Sequence, residues 1–133
     1  MCPAEEGWFA CESADRRKLL YQPVTFRDGP VIAIPATGGP AQPVLACART
    51  GAFLDTPQGL YYLACGSDRG LTIDAPVHLV ERTTGIDRII GTIEDYLHFP
   101  SAGGLAVSPD GREILYTRYM NRGSDLVLIE NFR

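Results

Sequence analysis

The residues best able to do chemistry in this 133-residue chain are two histidines, four cysteines and one polar loop, and their spacing does not bring them to a common centre. His78 alternates with Val77 and Leu79 in a strand-like run, which points it to an edge or a solvated face; His98 lies in Tyr96-Leu97-His98-Phe99-Pro100, a connection. Cys2, Cys11, Cys47 and Cys65 are spaced by 9, 36 and 18 residues, unlike the close cysteine pairs that hold zinc. Cys11, Cys47 and Cys65 sit beside apolar residues and read as buried free thiols, preferred over disulfides in a reducing compartment. Cys65-Gly66-Ser67-Asp68 lacks the strand-turn-helix setting of a nucleophilic serine, and no glycine-rich phosphate loop leads into a helix. No catalytic, cofactor-binding or metal-ligating residue is assigned, and the chain reads as a non-enzyme. The loop from Gly66 to Asp74 is long for a hairpin and carries Asp68, Arg69 and Asp74. It is a possible binding loop, because rigid sheets present ligands with their loops; a plain surface hairpin is the competing reading, since Asp and Gly are hairpin residues.

These groups stand on strands. Glycine (14) and proline (10) punctuate the chain at regular intervals, cutting it into runs of four to eight residues rich in Val, Ile, Leu, Tyr and Phe. The one helical candidate, from Asp87 to Leu97, is interrupted by Gly91 and carries β-branched Ile89, Ile90 and Ile93, so Arg88 to Ile93 reads as a strand. A composition of 45% hydrophobic and 21% charged residues is that of a globular domain with room for one core. A net charge of −4 argues against nucleic-acid binding by this chain. Its one basic cluster, Arg16-Arg17-Lys18, reads as a solvated turn. Apolar runs this short span no membrane, and Met1 to Glu6 lacks the pattern of a secretory signal. The chain as written is expected in the cytoplasm, or in the periplasm if it belongs to a longer membrane-anchored parent.

Part of the chain occurs twice. Ser13-Ala14-Asp15-Arg16-Arg17-Lys18-Leu19-Leu20-Tyr21 returns 95 residues later as Ser108-Pro109-Asp110-Gly111-Arg112-Glu113-Ile114-Leu115-Tyr116, and Val31 to Ile34 falls on Leu126 to Ile129 at the same offset. Thr56-Pro57-Gln58-Gly59 holds the corresponding turn in the middle, and Pro30-Val31 with Thr37-Gly38-Gly39 matches Pro76-Val77 with Thr83-Thr84-Gly85 at an offset of 46. Three units, 7–48, 49–96 and 97–133, each of three to four antiparallel strands, follow from this spacing. The turn residues Ser13, Asp15, Thr56, Pro57, Gly59, Ser108, Pro109, Asp110 and Gly111 read as structural, an Asp there bonding the amide two residues on. Tyr21, Tyr62 and Tyr116 recur in each second strand and read as aromatic packing between units.

Ser108-Pro109-Asp110-Gly111-Arg112 followed by Ile114-Leu115-Tyr116 resembles the blade signature of TolB-like, WD40-like β-propellers. The closing run from Gly123 to Arg133, and Ile34-Pro35-Ala36-Thr37-Gly38-Gly39 through Val44-Leu45, are similar to the C-terminal propellers of bacterial proteins that carry a winged-helix or serine/threonine kinase domain. The resemblance covers nearly all of the chain after its first ten residues and implies an all-β partial propeller of about three blades. It implies a non-catalytic binding or scaffold module, the sensory or interaction part of a signalling or transcription-regulatory protein. Its partner would be a protein, a peptide or a second copy, two copies giving a six-blade ring. The alternatives are the propeller lid of a prolyl-oligopeptidase-type serine peptidase, or a truncated product without a function of its own. No cofactor is expected.

Overall fold

The computed structural model describes residues 9–23, 28–66, 72–97, 105–120 and 123–130. Every regular element among them is a strand. They are β1 (Ala10–Glu12), β2 (Lys18–Tyr21), β3 (Gly29–Pro35), β4 (Gln42–Thr56), β5 (Gly59–Ala64), β6 (Thr72–Glu81), β7 (Asp87–Leu97), β8 (Leu105–Val107), β9 (Glu113–Met120) and β10 (Gly123–Glu130). They form one open, antiparallel, ten-stranded sheet in the order β1-β2-β3-β4-β5-β6-β7-β9-β10, with β8 pairing β9 off this path, on the edge away from β10. The expected all-β class holds. The expected strand at Arg88–Ile93 is longer on both sides, because its bulges let β7 follow β6 past Val77/His78 and Ile73/Ala75.

Two joints fold this sheet over itself. Gln42 to Ala48 of β4 pairs with β3, whereas Ala48 to Thr56 pairs with β5, and the register jumps between Ala48 and Phe53. Gly51 supplies the left-handed backbone there, with φ +69°. The second joint is the single pair Tyr96–Arg118 between β7 and β9. Three strand sets result: β1–β3 with the start of β4, the rest of β4 with β5–β7, and β8–β10.

Strand alternation sends neighbouring residues of the middle set to opposite faces. Leu60 and Tyr62 join Leu20, Val31, Ala33, Leu45, Ala48 and Phe53 in one core. Tyr61 and Leu63 join Val77, Leu79, Ile93, Tyr96, Ile114 and Tyr116 in the other. The middle sheet is therefore covered on both faces, which explains why Gly59 to Leu63 of β5 are buried without alternation.

The cysteine expectation is overturned at one pair. Cys47 and Cys65 form a disulfide, with Cα atoms 5.5 Å apart. Ala48 pairs with Ala64 across β4 and β5, so the flanking Cys47 and Cys65 face each other, a proximity that their 18-residue separation in sequence conceals. Cys11 is the free thiol among the described residues; burial raises its pKa, which favours the protonated thiol. Cys2 lies outside the described residues.

A buried polar knot braces the first joint. The Gln22 side chain, fully buried, donates to the carbonyls of Gly29 at 3.3 Å and Ala48 at 3.0 Å, and accepts from Gly51 N at 2.8 Å. Beside it, Asp28 accepts from Thr50 N at 2.9 Å and from Thr50 Oγ1 at 3.1 Å, and pairs with Arg49 at 3.5 Å. Backbone groups that the register jump removes from the ladder thus find side-chain partners.

Candidate functional site

The two copies of the repeated turn are the same device. Ser13 Oγ donates to Asp15 Oδ1 at 2.6 Å, as Ser108 Oγ does to Asp110 Oδ1. Asp15 Oδ1 accepts from Arg17 N at 2.9 Å, and Asp110 Oδ1 from Arg112 N at 3.0 Å. Each serine oxygen takes the next amide, from Lys18 or Glu113, at 3.0 Å. The fourth position is left-handed in both, Arg16 at φ +60° and Gly111 at φ +72°. Gly111 is the cheaper residue for that backbone; Arg16 holds it against the usual steric cost.

The middle turn departs from this pattern. Thr56 pairs directly with Gly59, so Pro57 and Gln58 form a two-residue tip and the Asp is dispensed with. The Thr56 hydroxyl donates to Gly59 O at 2.9 Å and accepts from Gly59 N at 3.3 Å. The equal chemistry expected of Thr56-Pro57-Gln58-Gly59 and Ser108-Pro109-Asp110-Gly111 is therefore confined to a hydroxyl at the first position, because the middle turn is two residues shorter.

The three turns lie side by side. Ala14 N donates to Asp55 Oδ2 of the middle set at 2.8 Å, and Arg82 clasps the other oxygen of Asp55 while donating to Thr56 O. On the opposite flank Gln58 Nε2 donates to Pro109 O at 2.9 Å. At this end a cleft of about 330 Å³ opens between the first and second sets. Its apolar floor includes Leu20 and Leu60, and its rim carries Asp15, Lys18, Glu81 and Arg82. A smaller cleft of about 230 Å³, with Tyr61, Glu81 and Arg88 in its wall, opens on the middle set. Gln58 lines that cleft, and its Oε1 is buried without a hydrogen-bond partner.

The Ser hydroxyl, then the Arg17 amide, hold Asp15 below the ordinary carboxylate range; Ser108 and the Arg112 amide do the same for Asp110. A depressed folded pKa stabilises the fold fully above the unfolded value of about 3.9 and is lost as pH falls through the folded value. The melting temperature is therefore expected to drop on acidification below pH ~4, and the Asp15→Asn/Asp110→Asn variant to show a flatter acid limb in a pH series of thermal melts. An unchanged acid limb would mean that these turns carry no linkage.

Sequence reading passed over one cluster. Tyr62 and His78 are cross-strand partners, their rings stacked at 4.8 Å. Both reach Asp87: the Tyr62 hydroxyl donates to Oδ2, and His78 Nδ1 lies 2.9 Å from Oδ1. Burial, then the Asp87 carboxylate, push the Tyr62 pKa up, so the phenol remains protonated as a donor. The cluster can hold and orient a proton, and it ties β5, β6 and β7 together. Its only sequence signal is the replacement by His78 of the apolar residues that Ile32 and Val127 supply opposite the other two tyrosines.

The other nominated residues scatter. Asp74 is not in a loop: it is an exposed residue of β6, between buried Ile73 and Ala75, and accepts from Asp95 N at 3.3 Å. The β-branched Thr72 and Ile73 extend the ladder against Leu97 and Tyr96, which shortens the expected loop. Asp68 and Arg69, and His98, lie outside the described residues. Among the described residues no group of three His, Cys, Asp or Glu side chains gathers as a metal site requires, and no helix is long and apolar enough to cross a membrane. No family model matches the chain, and neither does any curated protein or solved structure.

Proposed function

We propose that this chain is a non-catalytic binding module, part of a β-propeller, serving as the sensory or interaction part of a bacterial signalling or transcription-regulatory protein. The observation that carries this reading is the cleft between the first and second strand sets. Its volume of about 330 Å³ falls in the range of ligand sites. An apolar floor under a rim of both charges suits a short peptide segment, whose side chains seek the floor and whose polar groups seek the rim. The walls are stiff, because the middle set is packed on both faces and the flanking turns are bonded to it. A site built this way binds with little ordering cost. The repeat supports the propeller reading: the three sets share cross-strand pairs at equivalent positions, Leu20–Ala33, Tyr61–Leu79 and Leu115–Leu128.

Selection of a displayed random-peptide library on the purified chain tests the proposal. Recovered peptides are expected to bind Lys18→Glu about tenfold more weakly, with the melting temperature unchanged because Lys18 is exposed. Binders indifferent to Lys18→Glu, or an empty selection on folded protein, would overturn it.

A further inference from the structure

The strand sets repeat, but the cover on them does not. On one face of each set stand Leu20, Val31 and Ala33; Tyr61, Val77 and Leu79; and Leu115, Leu126 and Leu128. The first trio is 4%, 0% and 5% exposed, under the middle set; the second is 2%, 0% and 6% exposed, under the third set; the last is 38%, 71% and 49% exposed. The residues that provide the cover are equivalent too. Leu60 and Val80 face the first trio, and Ile114 and Ile129 face the second. Their counterparts in the first set, the cross-strand pair Leu19–Ile34, are half-buried and belong to neither core.

We propose that the Leu115–Leu126–Leu128 face seats the Leu19–Ile34 face of a second copy of this chain, head to tail. The contact would continue an interface the molecule already makes twice within itself. Charge agrees with this register. Both existing interfaces bring the turn ends together, so the third would set the Glu113–Glu130 pair, on the face of Leu115 and Leu128, beside the exposed Arg16 and Arg17 of the first turn. Two copies cover both faces at once and close without a free end, whereas one copy leaves the first face half-exposed and the last exposed. The inference rests on the stacked-module reading above.

Light scattering after size exclusion of the full chain at micromolar concentration tests it. Wild type is expected at twice 14.5 kDa. Leu126→Glu/Leu128→Glu spoils one bare face and is expected at the monomer mass with its circular dichroism spectrum intact, because both positions are already exposed. Ile34→Glu spoils the other face and is expected to give a monomer as well. Mixed, the two variants retain one intact seat and one intact cover between them, and the dimer mass is expected to return. A dimer that persists in Ile34→Glu would mean that the leucine faces pack on each other, which overturns the head-to-tail contact. A folded, monomeric wild type overturns the second copy altogether. Val77→Asp separates this from the underlying reading: at the equivalent buried position it is expected to unfold the chain. If it does so while wild type is a monomer, the stack stands and only the dimer falls; if Val77→Asp folds normally, the stack itself is wrong.

Discussion

Replacing Gly59 with alanine is expected to cost about 4 kcal/mol, combining backbone strain with an unrelieved clash. Gly59 opens β5 with φ +148°, a conformation that L side chains rarely adopt, and an added Cβ would stand 2.1 Å from Val80 O and 3.1 Å from Arg82 N. Those atoms are backbone of β6 and of the turn that follows it, so no rotamer change gives way. Gly59 pairs with both Thr56 and Glu81, and moving it would loosen the hairpin that meets the first and third turns. Gly85→Ala is the internal comparison. Gly85 is also left-handed, at φ +70°, yet nothing lies within 4 Å of its Cβ position, so its cost is expected near 1 kcal/mol from the backbone alone. Urea unfolding of the two variants checks the difference. Equal midpoints would mean that β6 moves aside from Gly59 freely.

The second large effect is expected at Gln22. Gln22→Leu keeps the approximate volume but removes two donated and one accepted hydrogen bond at the joint in β4. Bonds of this kind contribute about 1 kcal/mol each, and more when the abandoned partner stays buried, so a loss of about 3 kcal/mol is expected in chemical denaturation. Gln22→Glu adds a direction. Its carboxylate still accepts from Gly51 N but cannot donate to the Gly29 and Ala48 carbonyls, so protonating it should recover part of the loss. Midpoints measured at mildly acidic and neutral pH are expected to differ more for Gln22→Glu than for wild type. A Gln22→Leu variant as stable as wild type would show that the joint holds without this knot.

The sequence went furthest where order along the chain is itself the cause. Asp15 and Asp110 bond the amide two residues on because both partners of such a turn are local, and a local motif written twice folds twice. Strand class was legible for the same reason: β-branched and aromatic runs between Gly and Pro breaks have little else to form. The site was less legible. The cleft and the Tyr62–His78–Asp87 cluster join residues from different strands, and a lone His among apolar neighbours does not announce which tyrosine it will stack on. Thr72 to Asp74 misled because a polar residue within a strand resembles loop punctuation until its neighbours Ile73 and Ala75 are seen to be buried.

By itself, then, the sequence determined the all-β class, the repeat and the chemistry of its outer turns, all of which depend on near neighbours and on a side-chain period of two. Tertiary structure decided the rest. The Cys47–Cys65 bridge, the Gln22 knot, the tie from Asp55 to the first turn and the unequal exposure of three equivalent apolar faces arise only when the sheet folds over at its two joints, because each depends on which strand set comes to lie against another.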